Sequence, residues 1–167
     1  MKPIASSTDT DLEALFAQHW NQVYGLLFRL VGEHAEAEDL ALEVFWRYHY
    51  HPPAERDAQR LGGWLYRVAV RLGYNALRAQ RRRSRYEESA GRQALEIDYQ
   101  LDPASQVEHA EMRRQVQQVL AQMKPRAAKI LILRYTGLSY AQIAATLELP
   151  PGSIGTWLAR AEADFHK

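Results

Sequence analysis

With 167 residues, 47% of them apolar and 25% charged, the chain has the make-up of one medium or two small globular domains and not of a disordered segment. It has no cysteine, which excludes disulfides, thiolate metal sites and cysteine nucleophiles. A net charge of +1 hides a division: seven acids and one base, Arg29, lie between Asp11 and Glu43, and eight arginines without an acid lie between Arg60 and Arg85, a separation that suits two partners of opposite sign.

Helical spacing predominates from one end to the other. Thr10 and Glu13 form a capping-box pattern that predicts the first helix, which carries Leu12, Leu15, Phe16, Trp20, Val23, Leu27, Leu30 and Val31 and stops at Gly32. A second helix is expected from about Ala35 to Tyr50, with Ala37, Leu40, Ala41, Val44, Phe45 and Tyr48 on its core face. Pro52, Pro53 and the pair Gly62–Gly63 mark a loop over 51–63. A third helix follows to about Arg83, burying Trp64, Leu65, Val68, Ala69, Leu72 and Ala76. Periodicity fades over 86–106 and resumes with Val107, Ala110, Val116, Val119, Leu120 and Met123; Pro125 opens a further helix that ends near Gly137. Ser139 with Gln142 is a second capping box, and Ile143, Ala144, Leu147 and Leu149 are spaced to pack on Ile154, Leu158 and Ala161 as a helix-turn-helix. The expected fold is all-α: two small helical domains, 10–85 and 107–167, joined by a flexible linker, 86–106.

Three faces could bind something. Asp39, Leu42, Glu43 and Trp46 fall at i, i+3, i+4 and i+7 on the second helix, an acidic and apolar stripe suited to a protein with a basic helical surface. Arg67, Arg71, Tyr74 and Arg78 line the third helix and Arg82 extends their charge. Arginines track phosphates, and Tyr66 and Tyr74 offer rings for unstacked bases. The outward residues of the last helix, Gly152, Ser153, Gly155, Thr156, Ala159 and Arg160, are small and almost uncharged, so that helix should approach a groove closely and read its shape more than its base edges. The histidines are scattered and there is no glycine-rich phosphate loop. No catalytic residue, metal or cofactor is expected. No apolar run approaches the ~18 residues of a membrane span, and "MKPIASSTDTD" lacks the apolar stretch of a signal peptide; the expectation is a cytoplasmic protein without membrane insertion.

Three stretches in this order, "AEDLALEVFWR", "GWLYRVAVRLGYNALRAQRRR" and "MKPRAAKILILRYTGLSYAQIAATLELPPGSIGTWLARAE", resemble an extracytoplasmic-function sigma factor of the main bacterial sigma family, from about Leu12 to Ala163. The resemblance implies a protein that is not an enzyme and that gives RNA polymerase its promoter choice and helps to open DNA. Asp39, Leu42, Glu43 and Trp46 would dock on the beta-prime clamp helices of core RNA polymerase. Tyr66, Arg67, Arg71, Tyr74, Asn75, Arg78 and Arg82 would hold the minus-ten element, with a base extruded from the non-template strand. The last domain would meet the beta flap and, through Ser153, Gly155, Thr156 and Arg160, the minus-thirty-five duplex of promoter DNA. An anti-sigma factor is a further partner that the family allows. The chain departs from the family pattern at Leu42, where Gln is usual, at Arg71 and Asn75, where Asn and Asp are usual, and at Gly155, Trp157 and Ala159, where basic residues and His are usual. The alternative is an interaction module that binds polymerase or a regulator and whose helix-turn-helix holds a protein through Trp157.

Overall fold

The structure is a computed structural model and describes residues 7–54, 57–89 and 103–166. Among these residues every regular element is helical. The first lobe is three helices, α1 (Ser7–Val31), α2 (His34–Tyr50) and α3 (Ala58–Ser89). The helix α1 begins at Ser7, ahead of Thr10, so Thr10 and Glu13 lie inside it and do not cap it. Gly32 takes φ 75°, which lets the chain leave α1 at no steric cost. Glu33 then caps α2, its carboxylate accepting from the backbone N–H groups of Ala35 and Glu36. This two-residue link lays α2 back along α1.

The apolar stripes meet as their spacing dictates. Val23, Leu26, Leu27, Leu30 and Val31 of α1, Ala37, Ala41, Val44, Phe45 and Tyr48 of α2, and Leu65, Ala69, Val70, Leu72 and Leu77 of α3 are all buried. A ladder of rings at i, i+4 spacing, Phe16, Trp20, Tyr24 and Phe28, runs along α1 and closes on Phe45 and His34. The glycine pair read as loop lies inside α3, which starts at Ala58. A side chain on Gly62 would meet the His19 ring at 3.2 Å, and one on Gly63 would meet Ala145 at 3.6 Å. These glycines allow close helix approach and do not break the helix.

The second lobe is α4 (Pro103–Gln122), α5 (Pro125–Tyr135), α6 (Tyr140–Leu147), one 3-10 turn (Pro151–Ser153) and α7 (Ile154–Phe165). The Ser139–Gln142 capping box is complete, with both reciprocal hydrogen bonds made. Glu148 ends α6 in the left-handed region, φ 55°. Pro151 opens the 3-10 turn and α7 follows at Ile154. The expected linker is helical at both ends, since α3 runs on to Ser89 and α4 begins at Pro103; its centre, 90–102, lies outside the described residues. The lobes pack on one another: Tyr74 donates to the Leu120 carbonyl, Arg81 to that of Ala121 and Gln117 to that of Leu30.

One buried polar cluster gives the first lobe a pH signature. The Tyr66 hydroxyl donates to Gln22 Oε1 and lies 2.8 Å from Nδ1 of His19, which is buried. With that hydroxyl proton committed to Gln22, Nδ1 of His19 is the donor of the pair. Burial holds its pKa below the ordinary 6.5. The unfolded chain therefore binds the proton that the folded chain refuses, and stability falls as the pH drops through the unfolded value. Melting followed by circular dichroism from about pH 7.5 to about pH 5.5 should show a falling midpoint, and a smaller fall in His19→Gln. Equal falls in both proteins would remove His19 as the cause.

Candidate functional site

The stripe on α2 is exposed where it would need to be. Leu42 is 39% and Trp46 56% exposed, so neither widens the core face. Asp39 is exposed and pairs with no cation among the described residues. Glu43 is held by Arg47, one turn on, whose Nε donates to Oε1 at 3.0 Å. Tyr50, not anticipated from spacing, stacks on Trp46 with ring centroids 5.6 Å apart and is 66% exposed. The stripe thus ends in two exposed aromatic rings. A count continued one more turn, Trp46 to Tyr50, would have found the second.

On α3 the arginines and the tyrosines separate. Arg67, Arg71, Asn75, Arg78 and Arg82 are exposed along one face. Tyr66 and Tyr74 are not, at 1% and 7% exposure, and this corrects the expectation that their rings are free for bases. Tyr66 faces α1 and the His19–Gln22 cluster, where burial pushes its pKa up to about 12. Tyr74 stands amid the arginine face, but the second lobe covers it. Its hydroxyl reaches the Leu120 carbonyl at 3.3 Å, while Arg78 and Lys129 lie over its ring at 5.6 and 5.7 Å. Burial raises its pKa, and the Arg78 charge opposes that shift.

Arg67 is also engaged. Its Nε donates to the Thr146 carbonyl and its Nη2 to the Ala145 carbonyl, both at 3.1 Å, while Nη1 lies 2.8 Å from Glu148 Oε1. These carbonyls end α6, the negative pole of that helix. One guanidinium from the first lobe therefore caps the first helix of the helix-turn-helix.

On α7, Thr156, Ala159 and Arg160 are exposed and Gly155 is half-buried, as is Ser153 in the 3-10 turn before it. Gly155 lies against the Tyr140 ring, and the Ser153 hydroxyl donates to the Pro150 carbonyl at 2.7 Å. The long donor on this face is Arg160, whose guanidinium lies over the Trp157 ring. No three His, Asp or Glu side chains are gathered in metal-binding distance among the described residues, and no helix is long and apolar enough to cross a membrane among them.

The described residues thus carry an exposed acidic-apolar stripe, an arginine face and a helix-turn-helix on an all-helical framework. The family model for sigma-70 region 2 matches residues 15–83, and that for sigma-70 region 4 matches residues 113–164. The chain is 30% identical to the RNA polymerase sigma-H factor of Pseudomonas aeruginosa over 164 residues, 94% of this chain and 84% of that one. It is 26% identical to the extracytoplasmic-function sigma factor SigW of Bacillus subtilis over 154 residues, 88% of this chain and 82% of that one. In fold it is similar to the sigma factor RpoE of Bartonella quintana, solved with the anti-sigma factor NepR, with a TM-score of 0.60 at 16% identity over 93% of this chain and 94% of that one. CnrH, solved with the cytosolic domain of CnrY, gives a TM-score of 0.62 at 16% identity over 94% of this chain and 86% of that one. The chain belongs to the extracytoplasmic-function group of sigma-70 factors, and it gives RNA polymerase its promoter specificity at transcription initiation.

Proposed function

We propose that the first lobe docks on core RNA polymerase through Asp39, Leu42, Glu43 and Trp46, engaging a basic helical surface such as the beta-prime clamp helices. The observation that carries this reading is the exposure of Leu42 and Trp46 beside the carboxylates of a helix whose core face is separately filled. Arg71, Asn75, Arg78 and Arg82 then follow the backbone of the minus-ten strand, and Arg67 joins them when it leaves α6. The arginines supply position and affinity, not base identity. The second lobe faces the beta flap and the minus-thirty-five duplex through Thr156 and Arg160, with Ser153 and Gly155 admitting the backbone. It acts by binding alone, in the cytoplasm, and an anti-sigma factor is the regulator such a protein answers to. Its functional division is 10–85, 86–106 and 107–167.

Run-off transcription tests the reading: core polymerase and fragmented genomic DNA of the host, with and without the protein. Discrete start sites should appear only with it, and their absence would refute promoter recognition.

The Arg67 contact gives a sharper expectation. Arg67 cannot cap α6 and meet a phosphate at once, so a weaker contact should improve single-strand binding. Glu148→Lys removes an exposed pair worth about 0.5–1 kcal/mol, so affinity for a labelled single strand should rise about twofold to fivefold. A donor–acceptor dye pair on the two lobes should report greater separation. Unchanged separation and affinity would show that the contact does not hold Arg67 back.

A further inference from the structure

Trp157 stands in α7 with two guanidinium groups gathered at its ring. The ring is half-buried against the core of the second lobe. The guanidinium of Arg126, from the first turn of α5, lies 5.1 Å from its centroid, and that of Arg160, one turn along α7, lies 5.7 Å away. Both arginines are exposed, and neither pairs with a carboxylate among the described residues. The first turns of α5 and α7 hold no acid, and Lys124 adds a further exposed cation beside Arg126. A guanidinium resting on an aromatic face uses none of its N–H groups there, so its planar fork stays available to an anion. The ring thus brings two cations to one place on the surface, with no carboxylate paired to either among the described residues.

We propose that Trp157 positions Arg126 and Arg160 as a two-arginine clamp for one stretch of DNA backbone phosphate, so that α5 as well as α7 holds the distal promoter duplex. The proposal rests on the reading of the second lobe as facing DNA. Trp157 is a positioning residue; the arginines make the contacts. The clamp fits the small outward face of α7, because Gly155, Thr156 and Ala159 leave room for the backbone while offering little to base edges. Such a reader binds strongly at low salt, loses affinity steeply as salt rises, and discriminates little between sequences.

Fluorescence anisotropy of the full chain on a labelled mixed-sequence duplex, across a salt series, tests this. Arg126→Ala and Arg160→Ala should each lower the slope of log affinity against log salt by about 0.9, the signature of one lost phosphate contact. Trp157→Leu should weaken binding on the order of fivefold, and Trp157→Phe should restore part of that loss. Arg126→Ala should cost less in the Trp157→Leu background than in the wild type, because the ring and the arginine act together. A merely structural Trp157 gives additive losses, and additivity overturns the proposal. If Trp157→Leu fails to fold, Trp157→Phe replaces it in the cycle. A lowered slope in Arg160→Ala with a wild-type slope in Arg126→Ala also removes the clamp, while leaving the second lobe as a DNA reader. Wild-type slopes in both arginine variants remove that reader and the clamp with it.

Discussion

Asp39→Arg combined with Glu43→Arg should abolish capture of core RNA polymerase while leaving the protein folded. Asp39 is exposed and has no cation partner among the described residues, so its reversal breaks nothing within the chain. Glu43 loses its pair with Arg47 and then repels it, costing about 0.3–0.5 kcal/mol for the lost pair and a similar amount for the repulsion. Against a basic partner surface, each reversal turns an attraction into like-charge contact, which costs several kcal/mol at an interface. The asymmetry decides the outcome: a small loss within the fold, a large loss across the contact. Beside the carboxylates, Leu42 and Trp46 supply the apolar anchor, so Trp46→Ala alone should cost about 2 kcal/mol or more of binding. Pull-down with purified core polymerase, beside a circular dichroism melt, is the measurement. Recovery of polymerase at the wild-type level by the double variant would remove α2 as the docking face.

The legible parts of this molecule were those set by one helix at a time. The stripes of α1, α2 and α3 appear in the spacing of Val23, Leu27 and Leu30, of Ala37, Ala41 and Val44, and of Leu65, Ala69 and Leu72, and each is buried. The Ser139–Gln142 box and the start of α5 at Pro125 are equally local. What escaped depends on contacts between elements. Tyr74 lies seven residues after Arg67, close to two full turns, and shares its face; only the approach of Leu120 and Lys129 buries it. The capping of α6 by Arg67 joins residues 79 apart, beyond any local pattern. Gly62 and Gly63 read as a break because glycine usually serves turns; here His19 and Ala145 crowd them from other helices. Tyr66 is a different case. It stands one residue before Arg67, about 100° around the helix, and shares the core side with Val70, Gly73 and Leu77. Its burial could have been read from the helix wheel alone.

Tyr66→Ala should therefore unfold the first lobe or come close to it, instead of selectively weakening strand binding. The side chain is 1% exposed and belongs to the buried cluster, where it meets His19 and Gln22 of α1. Truncating a buried aromatic ring costs about 3–5 kcal/mol through lost burial and the cavity left behind, a large share of the 5–15 kcal/mol or so that holds an ordinary domain together. The hydroxyl adds a second loss, because its removal takes away the hydrogen-bond partner of both His19 Nδ1 and Gln22 Oε1. Tyr66→Phe isolates that part and should cost about 1–3 kcal/mol, the penalty for buried polar groups left unpaired. A surface ring that stacks a base behaves in the opposite way: its loss lowers single-strand affinity and leaves the melting curve alone. Denaturant melts and strand-binding titrations on the same two variants separate the two roles. If Tyr66→Ala melted like the wild type and bound a single strand less well, the ring would belong to the strand and not to the core. The structure predicts the reverse, with strand affinity falling only as far as the folded fraction falls.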